Sequence, residues 1–146
     1  MDDTVIDSSL RTVEWKDNKV IMIDQTKLPN QLVFVKYDDY NQVADAIRNL
    51  IVRGAPAIGV SGAFGLALAV LQSKATTKDE LISDLEKARK ILYDTRPTAV
   101  NLKWGLDKIM KVVNSEDSVE QIKQSVINEA KKMAEEDIQI NKTMGK

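Results

Sequence analysis

The stretch of this sequence with the most chemical potential is RGAPAIGVSGAFG, at residues 53–65, which holds four of the six glycines in the chain. A glycine turn that leads into a helix lets backbone N–H groups point outward, and the positive end of the helix dipole favours an anion there. Arg53, just before the turn, can fork two hydrogen bonds onto a phosphate. The pattern predicts an anion site at Arg53, Gly54 and Ala55.

A purely structural interpretation of the same stretch is available. Gly59, Gly62 and Gly65 would then only permit close packing between helices, and Arg53 would be a solvated residue at a helix end. Glycine-rich helix starts are common, so the spacing alone leaves both interpretations open.

Arg96 is a second candidate, in the segment YDTRPTAVNL. A residue that precedes proline is pushed out of helical backbone space, so this side chain is expected to leave a defined loop. Two arginines from two loops can clamp one anion. The alternative is a surface arginine beside Asp94, a kind of pair that signifies little when exposed.

The composition limits the chemistry available. With 146 residues, 43% hydrophobic and 29% charged, the chain has the balance of one soluble globular domain. A net charge of -1 provides no field that attracts a polyanion, so nucleic acid is not an expected partner. The chain has no cysteine and no histidine, so neither a metal site nor a disulfide is expected, and acid–base work would fall to Asp, Glu, Lys or Tyr.

The beginning of the chain, MDDTVIDSS, carries acids where a secretory signal has a basic region, which favours a cytoplasmic location. The longest apolar stretch, residues 55–71, is shorter than the roughly 20 residues that cross a bilayer, and it contains Pro56. The expectation is a buried helix, with no membrane as partner.

Residues 1–37 show a period of two. Alternation over 12–15 and 20–25 is interrupted at Asp17-Asn18, and a third run covers 32–37 after Pro29-Asn30. This predicts a tail and a small three-stranded antiparallel sheet.

Residues 38–146 show a period near 3.6 and are predicted to form a bundle of five helices. Asp39 with Gln42 resembles a capping box for the first helix, which is expected to continue to a left-handed stop at Gly54. Residues 57–72 are apolar all round, so this helix should be the most buried. Thr77 and Ser118 are the predicted starts of two later helices. The fold class is therefore α+β, with sheet and bundle forming one domain.

Three further residues are interpreted structurally. Trp15 and Trp104 are expected to be core or interface aromatics, because no basic patch surrounds either of them as base stacking would require. Asp24 follows an apolar run and is expected to cap a turn.

Five blocks of this sequence are similar, in order, to the amino-terminal half of methylthioribose-1-phosphate isomerases: LRTVEW, VIMIDQTKLP, IVRGAPAIGV, TRPTAVNLKWGLD and INKTMGK. The resemblance covers nearly the whole chain. The wider family includes archaeal ribose-1,5-bisphosphate isomerases and the alpha, beta and delta-like regulatory subunits of translation initiation factor 2B. The strand block with IDQTKLP favours the isomerase, because the amino-terminal parts of those relatives tend to be purely helical.

The resemblance implies an aldose–ketose isomerase of methionine salvage that uses neither a metal nor an organic cofactor and is a homodimer. It implies that Arg53, Gly54, Ala55 and Arg96 contact a sugar-phosphate substrate. The catalytic cysteine and aspartate of such enzymes lie in a carboxy-terminal Rossmann-like domain that this chain lacks. The chain is therefore expected to be the inactive amino-terminal, substrate-covering domain. The alternative is a protein-binding domain of a regulatory subunit related to initiation factor 2B.

Overall fold

A three-stranded antiparallel sheet begins the fold of the computed structural model, which describes residues 13–27, 30–49 and 55–144, with backbone only at 25, 55, 56 and 136–144. Its strands, in spatial order, are β1 (Val13–Lys16), β2 (Lys19–Ile23) and β3 (Phe34–Tyr37). Asp17 and Asn18 form the two-residue loop between β1 and β2, with φ of 54° and 61°. Positive φ at both positions defines the type I′ turn, whose twist matches that of the strands. The predicted hairpin and sheet are confirmed.

Asp24 links the end of β2 to the start of β3. Its Oδ1 accepts hydrogen bonds from the Thr26 N–H at 2.9 Å and from the Thr26 hydroxyl at 2.5 Å. Its own N–H donates to the Val33 carbonyl at 2.8 Å. The carboxylate is only 6% exposed, so Asp24 is both a turn cap, as predicted, and a buried polar group whose hydrogen bonds offset its desolvation.

Five helices follow the sheet: α1 (Tyr40–Arg48), α2 (Ala55–Gln72), α3 (Lys78–Thr95), α4 (Val100–Ser115) and α5 (Val119–Met144). The predicted capping box of Asp39 and Gln42 is present at the start of α1. Thr77 accepts from the Glu80 N–H at 3.2 Å, and Ser118 accepts from the Gln121 N–H at 3.1 Å. The predicted α+β architecture is therefore confirmed.

One helix boundary differs from the sequence prediction. α1 ends at Arg48, and Asn49 is its C-cap, with φ −95° and ψ 11° and an N–H that donates to the Asp45 carbonyl at 2.9 Å. Asparagine has a low helix propensity and is suited to helix ends. The continuation of α1 to Gly54 was therefore wrong, because an apolar stripe can extend past a cap that has already ended the helix.

α2 is the centre of the bundle. Every side chain from 58 to 70 is buried, and α2 contacts each of the other four helices. Ser61, its one buried polar side chain, donates to the Ala57 carbonyl at 2.7 Å. Trp15 of the sheet stacks near Phe64 with ring centroids 5.6 Å apart, so sheet and bundle share one core. Within the described ranges, no helix is long and apolar enough to cross a membrane.

The glycines inside α2 allow close contact with neighbouring helices. A Cβ atom at Gly59 would lie 2.8 Å from the Asn101 carbonyl oxygen, and one at Gly105 would collide with the Gly59 carbonyl oxygen. A Cβ atom at Gly62 would meet Leu102 at 2.7 Å, and one at Gly65 would meet Leu92 at 2.9 Å. The packing interpretation is therefore confirmed for Gly59, Gly62 and Gly65. It does not bear on Gly54, which lies outside the described residues.

Gly105→Ala is expected to destabilise the chain by about 1–3 kcal/mol, because the new methyl group meets rigid backbone of α2. This loss opposes the gain of about 1 kcal/mol that alanine brings to a helix interior. Gly65→Ala is the matched control, since the methyl groups of Leu92 can rotate away. Urea unfolding of both variants checks the prediction. A Gly105→Ala protein as stable as the parent would contradict the α2–α4 contact.

Candidate functional site

A tight turn over residues 96–99 connects α3 to α4 and presents Arg96. The Arg96 N–H donates to the Tyr93 carbonyl at 3.2 Å, and the Ala99 N–H donates to the Arg96 carbonyl at 2.9 Å. Arg96 has φ −149° and ψ 74°, outside helical space as the following proline requires. Pro97 occupies the second position of the turn, where its fixed φ is favourable. The predicted placement of Arg96 in a defined loop is confirmed.

The amino-terminus of α4 has no side-chain cap. Its N-cap residue is Ala99, which has no hydrogen-bonding side chain, whereas Asp39, Thr77 and Ser118 cap α1, α3 and α5. The first N–H groups of a helix have no intrahelical acceptor, and they form the positive end of its dipole. The turn therefore places Arg96 next to a helix end that lacks a side-chain cap among the residues that the structure describes. Composition and periodicity did not single out this feature, although alanine at the cap position was readable in the sequence.

An ion-pair network holds the two helices that flank the turn. Asp107 of α4 accepts from the Arg89 guanidinium of α3 at 2.5 Å and from Lys103 at 2.8 Å. These hydrogen bonds hold the pKa of Asp107 below its ordinary value. Because Arg89 and Asp107 belong to different helices, the network limits relative movement of α3 and α4 around the turn.

Arg96 is half-buried, and its guanidinium forms no ion pair with any carboxylate of the described ranges. The alternative pairing with Asp94 is not formed, because Asp94 pairs with Lys90 at 3.1 Å. Arg96 therefore retains its donors for another acceptor.

Of the other predicted site residues, Ala55 falls within the part of the chain that the structure describes. Ala55 is the first residue of this helix and Pro56 lies in its first turn, while Arg53 and Gly54 lie outside the described residues. Gly59, about 6 Å further along α2, touches Asn101 in the first turn of α4. The amino-terminal turn of α4 therefore lies against the second turn of α2.

A small antiparallel sheet followed by a helical bundle defines the class of the protein, and comparison with known sequences gives its family. Residues 51–146 match the model of the initiation factor 2 subunit family, so the chain belongs to that family. It is 44% identical to the methylthioribose-1-phosphate isomerase of Geobacter metallireducens over 140 residues, which are 94% of this chain and 40% of that protein.

Two solved structures share the fold. One is the crystal structure of 5-methylthioribose 1-phosphate isomerase from Pyrococcus horikoshii, at 50% identity and a TM-score of 0.82, covering 86% of this chain and 36% of that one. The other is the structure of translation initiation factor eIF-2B subunit delta from A. fulgidus, at 43% identity and a TM-score of 0.83, covering 88% and 38%. The chain thus spans about two fifths of the length of the relatives it matches.

The second structure bears on the strand block. Residues 38–146 make up about three quarters of this chain, so a match that covers 88% of it extends into residues 1–37. A protein that carries an initiation-factor name therefore matches part of the segment that holds the strand block. The strand block alone does not separate the isomerase from that relative.

Asp107→Asn is expected to lower the free energy of unfolding at neutral pH by no more than about 1 kcal/mol, because solvent screens ion pairs this exposed. The pKa of Asp107 is lower in the folded chain, so its contribution is complete above the unfolded value of about 3.9 and is lost as pH falls through the folded pKa. The two proteins should differ equally from pH 7 to about pH 5, and the difference should begin to shrink near pH 4 and disappear below the folded pKa. Urea unfolding across this range checks the prediction, and a difference that persists at low pH would contradict it.

Proposed function

We propose that this chain is the amino-terminal, substrate-covering domain of an aldose–ketose isomerase that acts on 5-methylthioribose 1-phosphate. The observation that carries the proposal is the guanidinium of Arg96, which no carboxylate of the described residues pairs with, in a rigid turn directly before the uncapped amino-terminus of α4. It is supported by relatives named as this isomerase at 44% and 50% identity.

A phosphate group fits the donors of this turn. The N–H groups at the start of α4 are directional donors, and the guanidinium of Arg96 supplies a permanent charge with two parallel N–H bonds. Arg53, Gly54 and Ala55 would contribute a second set of donors from the start of α2. The second turn of α2 packs on the first turn of α4. Two helix ends and two arginines would therefore bind one sugar phosphate together.

The role assigned to this chain is to bind and orient substrate, and to exclude water. Conversion of an aldose phosphate to a ketose moves hydrogen between neighbouring carbons and needs positioned acid and base groups. The resemblance implies a cysteine and an aspartate for this chemistry in a carboxy-terminal domain. No cysteine occurs in this chain, so in this proposal the cysteine comes from another part of the protein.

A second candidate function has one specific observation in its favour. The match to eIF-2B subunit delta has a TM-score of 0.83 and covers 88% of this chain. A regulatory subunit would use the same domain to bind protein partners. The two candidates differ in one measurable property, which is the turnover of a sugar phosphate by the complete protein.

The isolated chain is expected to bind methylthioribose 1-phosphate with a dissociation constant of about 1 mM, because part of the site is absent and exposed phosphate contacts supply only a few kcal/mol. Titration followed by amide chemical shifts should move resonances at residues 99–102 and near 55. Arg96→Ala should abolish these shifts. Lys74→Ala, which removes a positive charge beyond the other end of α2, is the control and should leave them unchanged. Shifts that survive Arg96→Ala would reject the site.

Turnover is tested with a chimera that joins this chain to the carboxy-terminal part of the Pyrococcus horikoshii isomerase. The chimera should isomerise methylthioribose 1-phosphate, and the 146-residue chain alone should not. Arg53→Ala and Arg96→Ala should each raise KM about tenfold or more, since a hydrogen bond to a charged group contributes about 1.5–3 kcal/mol.

These substitutions should lower kcat less than they raise KM if the phosphate is held equally in ground and transition states. Lys74→Ala is again the control. Unchanged kinetics in both arginine variants of an active chimera would reject the assigned contacts. A folded chimera without activity would favour the regulatory candidate.

A further inference from the structure

We infer that the exposed apolar face of α4, formed by Val100 and Trp104, is a docking surface for the carboxy-terminal part of the full-length protein. The inference depends on this chain being the amino-terminal part of a longer protein, and it does not depend on the identity of the substrate.

The exposure of these two residues is the first argument. Val100 is 77% exposed and Trp104 is 56% exposed, the two highest values among the large hydrophobic side chains of the described ranges. They are four residues apart, so they lie side by side on one face of the helix. The opposite face of α4 is buried through Leu102 and Leu106. Adjacent exposed apolar side chains that include a tryptophan mark an interaction site more often than a solvated surface.

The indole of Trp104 is held in position before any partner binds. The Lys108 ammonium lies 4.9 Å from the centroid of the ring, and it also lies 3.6 Å from Glu129 Oε2 on α5. One face of the ring is therefore supported by a lysine that is itself anchored to another helix. An aromatic side chain that is already ordered loses little conformational entropy on binding, which suits it to be an interface anchor.

Charged side chains surround the apolar pair. Lys103 and Asp107 form an ion pair on one side at 2.8 Å, and Lys108 pairs with Glu129 on the other. An apolar centre within a rim of polar groups is the usual anatomy of a protein interface. Because the rim charges already have partners, the surface requires a mainly apolar and not a strongly charged counterpart.

The length of the relatives identifies the occupant. The chain covers 40% of the Geobacter metallireducens isomerase and 36% of the Pyrococcus horikoshii structure, so in each relative a larger part of the chain follows and must pack somewhere. Arg96, the proposed substrate contact, lies in the turn four residues before Val100. If the catalytic groups reside in that following part, the surface beside Arg96 is the one that faces it.

The test uses Trp15→Phe, which leaves Trp104 as the only tryptophan of this chain. The Trp15→Phe substitution is introduced into the 146-residue chain and into the chimera. Any tryptophans in the carboxy-terminal part of the chimera are replaced by phenylalanine, so that Trp104 is the only tryptophan in both proteins. In the chain alone, Trp104 should be quenched readily by acrylamide. In the chimera the quenching constant should fall about threefold and the emission should shift to shorter wavelength, because the centre of an interface excludes water.

Trp104→Phe, which leaves Trp15, is the matched control and should give the same quenching in both proteins. Equal quenching of Trp104 in both would overturn the inference. Protection of Trp104 in the chain alone that increases with protein concentration would also overturn it, since the occupant would then be a second copy of this chain.

A second measurement does not depend on fluorescence. Trp104→Glu in the chimera should increase the rate of proteolytic cleavage between the two parts by about tenfold, because a charge replaces an interface anchor. Leu32→Glu, at a residue that is 49% exposed in the loop before β3, should not. Equal cleavage rates for the two variants would overturn the inference. A chimera with a protected Trp104 and no isomerase activity would support the docking surface while rejecting the proposed function.

Discussion

The contact between α2 and α4 at Gly59 and Gly105 is the constraint on which the rest of the structure depends. Neither residue has a Cβ atom, so the two helix backbones touch. Close approach extends the dispersion contacts of the neighbouring side chains and lets Leu102 and Leu106 reach α2. Because α2 also contacts α1, α3 and α5, this one approach fixes the position of α4 in the bundle.

The position of α4 in turn decides the chemistry of the turn before it. A helix end without a side-chain cap normally lowers stability by about 1 kcal/mol relative to a capped end. Here the end occurs next to an arginine without a carboxylate partner among the described residues, in a turn that backbone hydrogen bonds and the Arg89–Asp107 pair hold in place. Binding sites commonly combine a locally unfavourable feature, here a helix end without a side-chain cap, with a rigid framework around it. An anion would supply the acceptor that Ala99 lacks.

The family contains proteins named as enzymes and a protein named as an initiation factor subunit, and the domain is alike in both. Fold alone therefore carries little information about activity in this case. The residues that distinguish the two functions are those that touch the substrate and those that perform the proton transfers. In the proposed assignment this chain supplies residues of the first group, as a covering domain whose partner surface surrounds Val100 and Trp104.

The sequence by itself determined most of the fold. Three local patterns predicted the elements: alternation in residues 12–37, an all-apolar segment at 57–72, and capping residues at Asp39, Thr77 and Ser118. Local patterns predict the folded structure correctly when tertiary packing favours the same elements. The placement of Arg96 outside helical space also followed from the proline beside it. The substrate contacts at Arg53, Gly54, Ala55 and Arg96 remain predictions.

Only the tertiary structure decided the questions that depend on distant residues. The end of α1 at Arg48 was hidden by an apolar stripe that continues past Asn49. The role of Gly59, Gly62 and Gly65 was open until the side chains opposite them were in place. Trp104 was expected in a core or an interface, and its exposure follows from the rotation of α4 that the contact with Gly59 imposes. Periodicity reports which residues share a face, whereas the neighbour that covers the face is a property of the whole fold.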